Sequence, residues 1–129
     1  MRYVFPAVLI PTEEGGYTVS IPDIEGCFTE GDTLAEAVFM AQDALAMMLV
    51  YHEDHDIKIP AATSVEKIKC PEGGTISLVP ADTDQWRRTF ENKAVKKTLS
   101  IPSWLNSKAL KAGLNFSQVL QEALIEKLG

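Results

Sequence analysis

Apolar and polar positions along the first third of the chain change period once, and the change separates strands from a helix. Arg2 to Ile10 is rich in Tyr, Val, Phe, Leu and Ile and alternates as a strand does. Pro11 to Gly16 forms a turn, and Tyr17 to Ile21 reads as the returning strand of a hairpin. Pro22-Asp23-Ile24-Glu25-Gly26 is a second turn, leading into a short strand around Cys27 to Thr29. The period then lengthens. Thr33 followed by Glu36 is a capping box, and Leu34, Ala37, Val38, Ala41, Leu45, Met48 and Leu49 recur at helical spacing to about Asp54. Ile57 to Thr63, with Pro60, predicts a loop, and Gly73-Gly74 opens a last strand over Thr75 to Val79. The order is β-β-β-α-β: an α+β fold whose antiparallel sheet is covered by one helix, spanning residues 1–80.

Residues 81–92 are polar around Trp86 and read as a linker or a short helix. Beyond them, over 93–129, the pattern restarts. Val95, Lys97, Leu99 and Ile101 fall on one side of a predicted strand, with Lys96, Thr98 and Ser100 on the other. Pro102 suits a first helical turn, the helix runs from about Ser103 to Ala112, and Gly113 stops it. Leu105, Ala109 and Ala112 line its inner face. Asn115 with Gln118 caps a second helix, whose stripe is Phe116, Val119, Leu120, Ala123, Leu124 and Leu128. One strand is not a sheet, and 37 residues cannot bury a core alone, so this segment asks for a second copy of itself.

Charge sharpens the division. Residues 93–129 carry six lysines against two glutamates, whereas residues 1–92 carry six bases against sixteen acids. A basic tail on an acidic body suggests different partners for the two halves, a polyanion for the tail among them. Two cysteines, Cys27 and Cys70, have neither metal spacing nor the density of a disulfide framework. The longest apolar run, Ala44 to Tyr51, is too short to span a bilayer, and the first residues lack a secretory cleavage pattern. A cytoplasmic protein without membrane contact is the expectation. Asp23, Glu25, Glu30 and Asp32 could be metal-binding carboxylates, but a ribonuclease-H site needs an acid in the first strand, and Arg2 to Ile10 has none. His52, His55 and Asp56 fit the end of the helix more simply than a metal. No enzyme, no metal and no cofactor is expected.

The stretch Tyr17-Thr-Val-Ser-Ile-Pro-Asp-Ile-Glu-Gly-Cys-Phe-Thr-Glu-Gly-Asp-Thr-Leu-Ala-Glu-Ala37 resembles the signature of HicB-type antitoxins. Pro22 and Gly26 shape a turn, Gly31 permits a close approach to the helix, and Thr33 and Glu36 cap it, so these residues build the fold. The resemblance implies a degenerate ribonuclease-H-like or ferredoxin-like body that covers a small, basic, RNA-cleaving HicA-like toxin.

The tail resembles the ribbon-helix-helix fold of small bacterial repressors such as Arc and MetJ, in which one strand per chain pairs in a dimer and enters the major groove. By position, that resemblance makes Lys96, Thr98 and Ser100 readers of base edges. The amides of Asn115, Phe116 and Ser117 would hold a phosphate, and Lys93 and Lys97 would add backbone contacts. Together the two resemblances imply an antitoxin that neutralises its toxin by direct binding and represses its own operon as a homodimer on double-stranded operator DNA, with room for dimers to pair into tetramers. The alternative is a stand-alone regulator whose body binds a small ligand or only oligomerises. An edge strand protected by lysines, or a tail kept for dimerisation alone, would show the same alternation.

Overall fold

The computed structural model describes residues 1–129, and the chain divides into two compact units, Met1–Lys93 and Ala94–Gly129. The first contains β1 (Arg2–Pro11), β2 (Tyr17–Ser20), β3 (Phe28–Gly31), α1 (Leu34–Asp54), a single 3₁₀ turn at Val65–Lys67, β4 (Thr75–Asp82) and α2 (Thr83–Phe90). The second contains α3 (Ser103–Lys111) and α4 (Phe116–Leu128). The β-β-β-α-β order expected for residues 1–80 is present, as an antiparallel sheet in the order β3-β2-β1-β4.

β1 is the long central strand, paired with β2 from Val8↔Ser20 to Pro11↔Tyr17 and with β4 from Arg2↔Asp82 to Leu9↔Thr75. Two prolines sit in this ladder without breaking it. Pro6 faces Leu78 and Pro80 faces Val4, two residues apart, so both belong to one class of antiparallel pair. Neither can donate, so that class is the one that exchanges no hydrogen bonds, and each proline nitrogen points away from the β1–β4 ladder. For Pro80 that direction is the open edge of the sheet. Pro6 points to the other side, beyond the last β1–β2 pair at Val8.

Alternation places Phe5, Ala7 and Leu9 under α1, with Val19 of β2 and Val79 and Ala81 of β4 beside them. α1 answers with Ala37, Ala41, Leu45 and Leu49, all at most 1% exposed. Ala46 and Val50, outside the predicted stripe, are buried as well, while Leu34 at the helix start is exposed.

The signature stretch between β2 and α1 closes on its buried residues. Ile21, Ile24 and Cys27 are buried, and backbone bonds Ile24 N–Ile21 O, Cys27 N–Ile24 O and Ile21 N–Cys27 O tie the turn shut. Gly26 sits at φ +77°, open to glycine without strain. The Asp23 carboxylate accepts from the backbone N–H and the hydroxyl of Thr63, at 2.9 and 2.5 Å, which anchors the predicted 57–63 loop. Asp23 is thus a clamp between two loops. The capping box forms: Thr33 Oγ1 accepts from Glu36 N at 3.1 Å, and Glu36 accepts from Asp32 N at 3.2 Å.

Three expectations change. Residues 81–92 do not form a linker: they hold the end of β4 and the whole of α2, and they belong to the first unit. The segment 93–101 is not a strand in a single chain, because no neighbouring strand is there to take its hydrogen bonds. The third strand also runs later than predicted, from Phe28 to Gly31.

A Cβ built on Gly31 would overlap the backbone of Ala37, 2.6 Å from its Cα. Backbone cannot give way as a flexible side chain can. Gly31→Ala is therefore expected to destabilise the first unit by about 1–3 kcal/mol, read as a lower urea midpoint with unchanged slope.

Candidate nucleic-acid interface

The second unit carries most of the predicted contact residues. α3 begins after Pro102, whose carbonyl accepts from Leu105 and Asn106. It ends as expected at a glycine, with Gly113 at φ +70° and its N–H on Leu110 O, followed by Leu114 N on Ala109 O. The Asn115 side chain caps α4 by accepting from Gln118 N at 3.1 Å. Phe116 and Ser117 then open the helix, and their amides lie in its first turn, where no helical carbonyl precedes them. The Asn115 side chain thus serves the cap, and the backbone amides of Asn115, Phe116 and Ser117, the expected phosphate contacts, all lie at this helix start.

Lys93 ends the first unit, whereas Lys96, Lys97, Thr98 and Ser100 lie on the irregular segment that enters the second. All five are exposed. A lone chain brings no partner to this segment, so the proposed base-reading side chains are lined up only by their place along one run of backbone.

The burial of the second unit is its most informative property. No side chain in it is buried; Ala109 and Leu120 are only partly covered. The residues that the periodicity assigns to an inner face remain in solvent, with Leu99 64%, Leu105 41%, Val119 44% and Leu124 51% exposed. Helices of 9 and 13 residues are short for isolated stability, and such helices hold in proteins by packing an apolar face. This unit has the face and not the packing.

Sequence reasoning missed the cluster that fixes the chain just before this unit. Glu53, at the end of α1, accepts from the Tyr3 hydroxyl at 2.9 Å, the Thr83 hydroxyl at 3.1 Å and Arg87 at 3.1 Å. Arg87 also meets Asp54 at 2.8 Å and Glu91 at 3.4 Å. Thr83 is wholly buried, so α2 is held at both its first residue and its last turn. Bonds to Asp54 and Glu53 raise the affinity of Arg87 for its proton. The one signal in the sequence was two acids at the C-terminus of a helix, where the dipole prefers cations. His52 and His55 place Nδ1 on the carbonyls of Met48 and Tyr51, at 2.6 and 2.9 Å, and so serve the end of α1.

Burial, and then the bond to the Glu53 carboxylate, raise the Tyr3 phenol above its ordinary value of 10.0. The neutral phenol is favoured in the folded state, so its contribution is whole below that value and is lost as pH rises through the higher folded value. Alkaline urea titrations should show stability falling above pH 10.0, and Tyr3→Phe should flatten that fall.

Residues 5–123 match the family model described as HicB_like antitoxin of bacterial toxin-antitoxin system. Antitoxin HicB 1 of Photorhabdus laumondii is 50% identical over 60 residues, which is 46% of this chain and 37% of that protein. The match thus spans well under half the length of that relative. An uncharacterised 14.9 kDa protein from the rep-hol intergenic region of Haemophilus phage HP1 is 31% identical over 99 residues, covering 76% of this chain and 73% of that one. Among solved structures, a chain of a toxin-antitoxin complex from Streptococcus pneumoniae superposes with a TM-score of 0.64 at 25% identity, over 98% of this chain and 99% of its own.

Proposed function

This chain belongs to the HicB-like antitoxin family, and from that membership we propose that it neutralises a HicA-like, RNA-cleaving toxin by binding it directly and represses its own operon on double-stranded DNA. The observation that carries this reading is the reach of the family match, which runs from residue 5 to residue 123 and so through both units. The first unit, read as a degenerate ribonuclease-H-like or ferredoxin-like body, covers the toxin. Inhibition by coverage needs no turnover, so the chain acts as a binding protein and not as an enzyme, in the cytoplasm where the toxin's messenger targets are.

The second unit is read as a ribbon-helix-helix half. Its unburied apolar side chains and its unpaired 93–101 segment are two forms of one deficit, and a second copy meets both. Two 93–101 segments paired antiparallel satisfy each other's backbone, and the stripes of α3 and α4 close over the paired strands. Dimerisation also doubles the lysine field that a phosphate backbone attracts. In that arrangement Lys96, Thr98 and Ser100 point into the major groove, while Lys93, Lys97 and the Phe116 and Ser117 amides at the Asn115 cap meet phosphates. Dimers could pair further into tetramers.

Lys96→Ala combined with Thr98→Ala should abolish preference for operator over random DNA and leave a weaker, salt-sensitive affinity, each lost base contact being worth about 1–3 kcal/mol. An unchanged footprint in that double variant overturns the assignment of these residues. Removing residues 94–129 should leave toxin neutralisation in a co-expression assay while eliminating DNA binding and dimers. If the shortened chain no longer relieves toxicity, the two units are not separable in function.

A further inference from the structure

α1 brings more apolar surface than the sheet uses. Its most apolar 18 residues have a mean hydropathy of 1.4, yet only 33% of that stretch is buried. The remainder is not scattered. Phe39, Met40, Met47 and Tyr51 are exposed by 66%, 42%, 54% and 52%, all on the side of the helix that faces away from Ala41, Leu45 and Leu49. Met40, Met47 and Tyr51, spaced by seven and four residues, follow one line along the axis, and Phe39 lies beyond Glu36 and Asp43 on the same outer side.

The polar residues that α1 itself carries beside this stripe are acidic or neutral, and the one base that reaches its end, Arg87 of α2, is held by Glu53 and Asp54. Glu36 and Asp43 are exposed there, and the whole of Leu34–Asp54 contains no lysine or arginine. Solvent-facing helices ordinarily drape lysine or arginine stems over exposed apolar positions. Here that cover is missing. Methionines are flexible and polarizable, which suits a surface that adapts to another protein, and Tyr51 on the same line supplies a large anchor.

Charge selects among the occupants. A second acidic body would meet Glu36 and Asp43 with its own acids, and an anionic lipid surface would be repelled in the same way. A protein that holds RNA must present lysine or arginine to the phosphates, so an apolar patch rimmed by bases is complementary to this face. We propose that the outer face of α1 is where the toxin docks, with Met40, Met47 and Tyr51 in the apolar centre of the contact and Glu36 and Asp43 at its rim. The proposal rests on the toxin-neutralising reading given above and adds the surface to it.

The test titrates the full chain with the purified product of the reading frame beside its gene. Met47→Glu should weaken binding by ~100-fold, as loss of a central anchor does, with the thermal midpoint and the molar mass of the chain alone unchanged. Asp43→Lys should slow association by about tenfold at low salt and reduce its salt dependence. It lies outside the apolar stripe, so it decides the matter if Met47→Glu does not fold. Leu78→Glu, on the opposite face of the unit, should stay within about twofold. If the unaltered chain binds and both α1 variants bind equally well, the toxin docks elsewhere and the proposal is overturned while the antitoxin reading stands. If the unaltered chain does not bind, both are overturned. A fall in the molar mass of the Met47→Glu chain alone would show a contact between copies and also overturn the proposal.

Discussion

The contact between α1 and the sheet is the constraint from which the rest of the first unit follows. Its inner residues taper, with Ala37 and Ala41 near the start and Leu45 and Leu49 further on. Small side chains at the start bring the helix against β3 so closely that position 31 has no room for a Cβ. Larger ones downstream fill the wider gap over β1 and β4, where Phe5 and Val79 are waiting. The Asp23 clamp on Thr63 then holds the loop that leaves the helix, and the capping box at Thr33 aims the helix as it enters. The turn residues of the signature therefore act together to seat one helix.

Seating α1 this way has consequences at its end and on its back. At its end, Glu53 and Asp54 stand where a helix dipole disfavours acids, and the compensation comes from Arg87 of α2 together with the hydroxyls of Tyr3 and Thr83. That exchange turns a polar stretch with the look of a linker into a docked helix. On its back, the apolar residues that the sheet cannot reach remain in solvent, with no lysine or arginine on α1 to cover them. The first consequence completes the unit; the second leaves an apolar face open.

The second unit has the opposite economy. Its caps and stops form with the expected geometry at Gly113 and Asn115, since these need only the local backbone. Its core does not form, because 36 residues with two short helices and an unpaired segment enclose nothing. The same apolar periodicity produces burial in one unit and exposure in the other, and the difference lies in whether a sheet is available in the same chain.

Local rules were enough for the β-β-β-α-β order, for the cap at Thr33 and for the stop at Gly113, because each depends on residues a few positions apart. The family was legible in a 21-residue stretch for the same reason: its residues are bound by turn geometry and close approach. The candidate contact residues were legible only as positions, since the 93–101 segment has no neighbouring strand in the chain to align them. What tertiary structure alone decided is non-local. Arg87 lies 34 residues from Glu53, and Thr63 lies 40 from Asp23. Whether 81–92 was a linker or a helix, and which side of α1 was left uncovered, depended on those pairings, because an amphipathic pattern shows that a face is apolar and only packing shows what meets it.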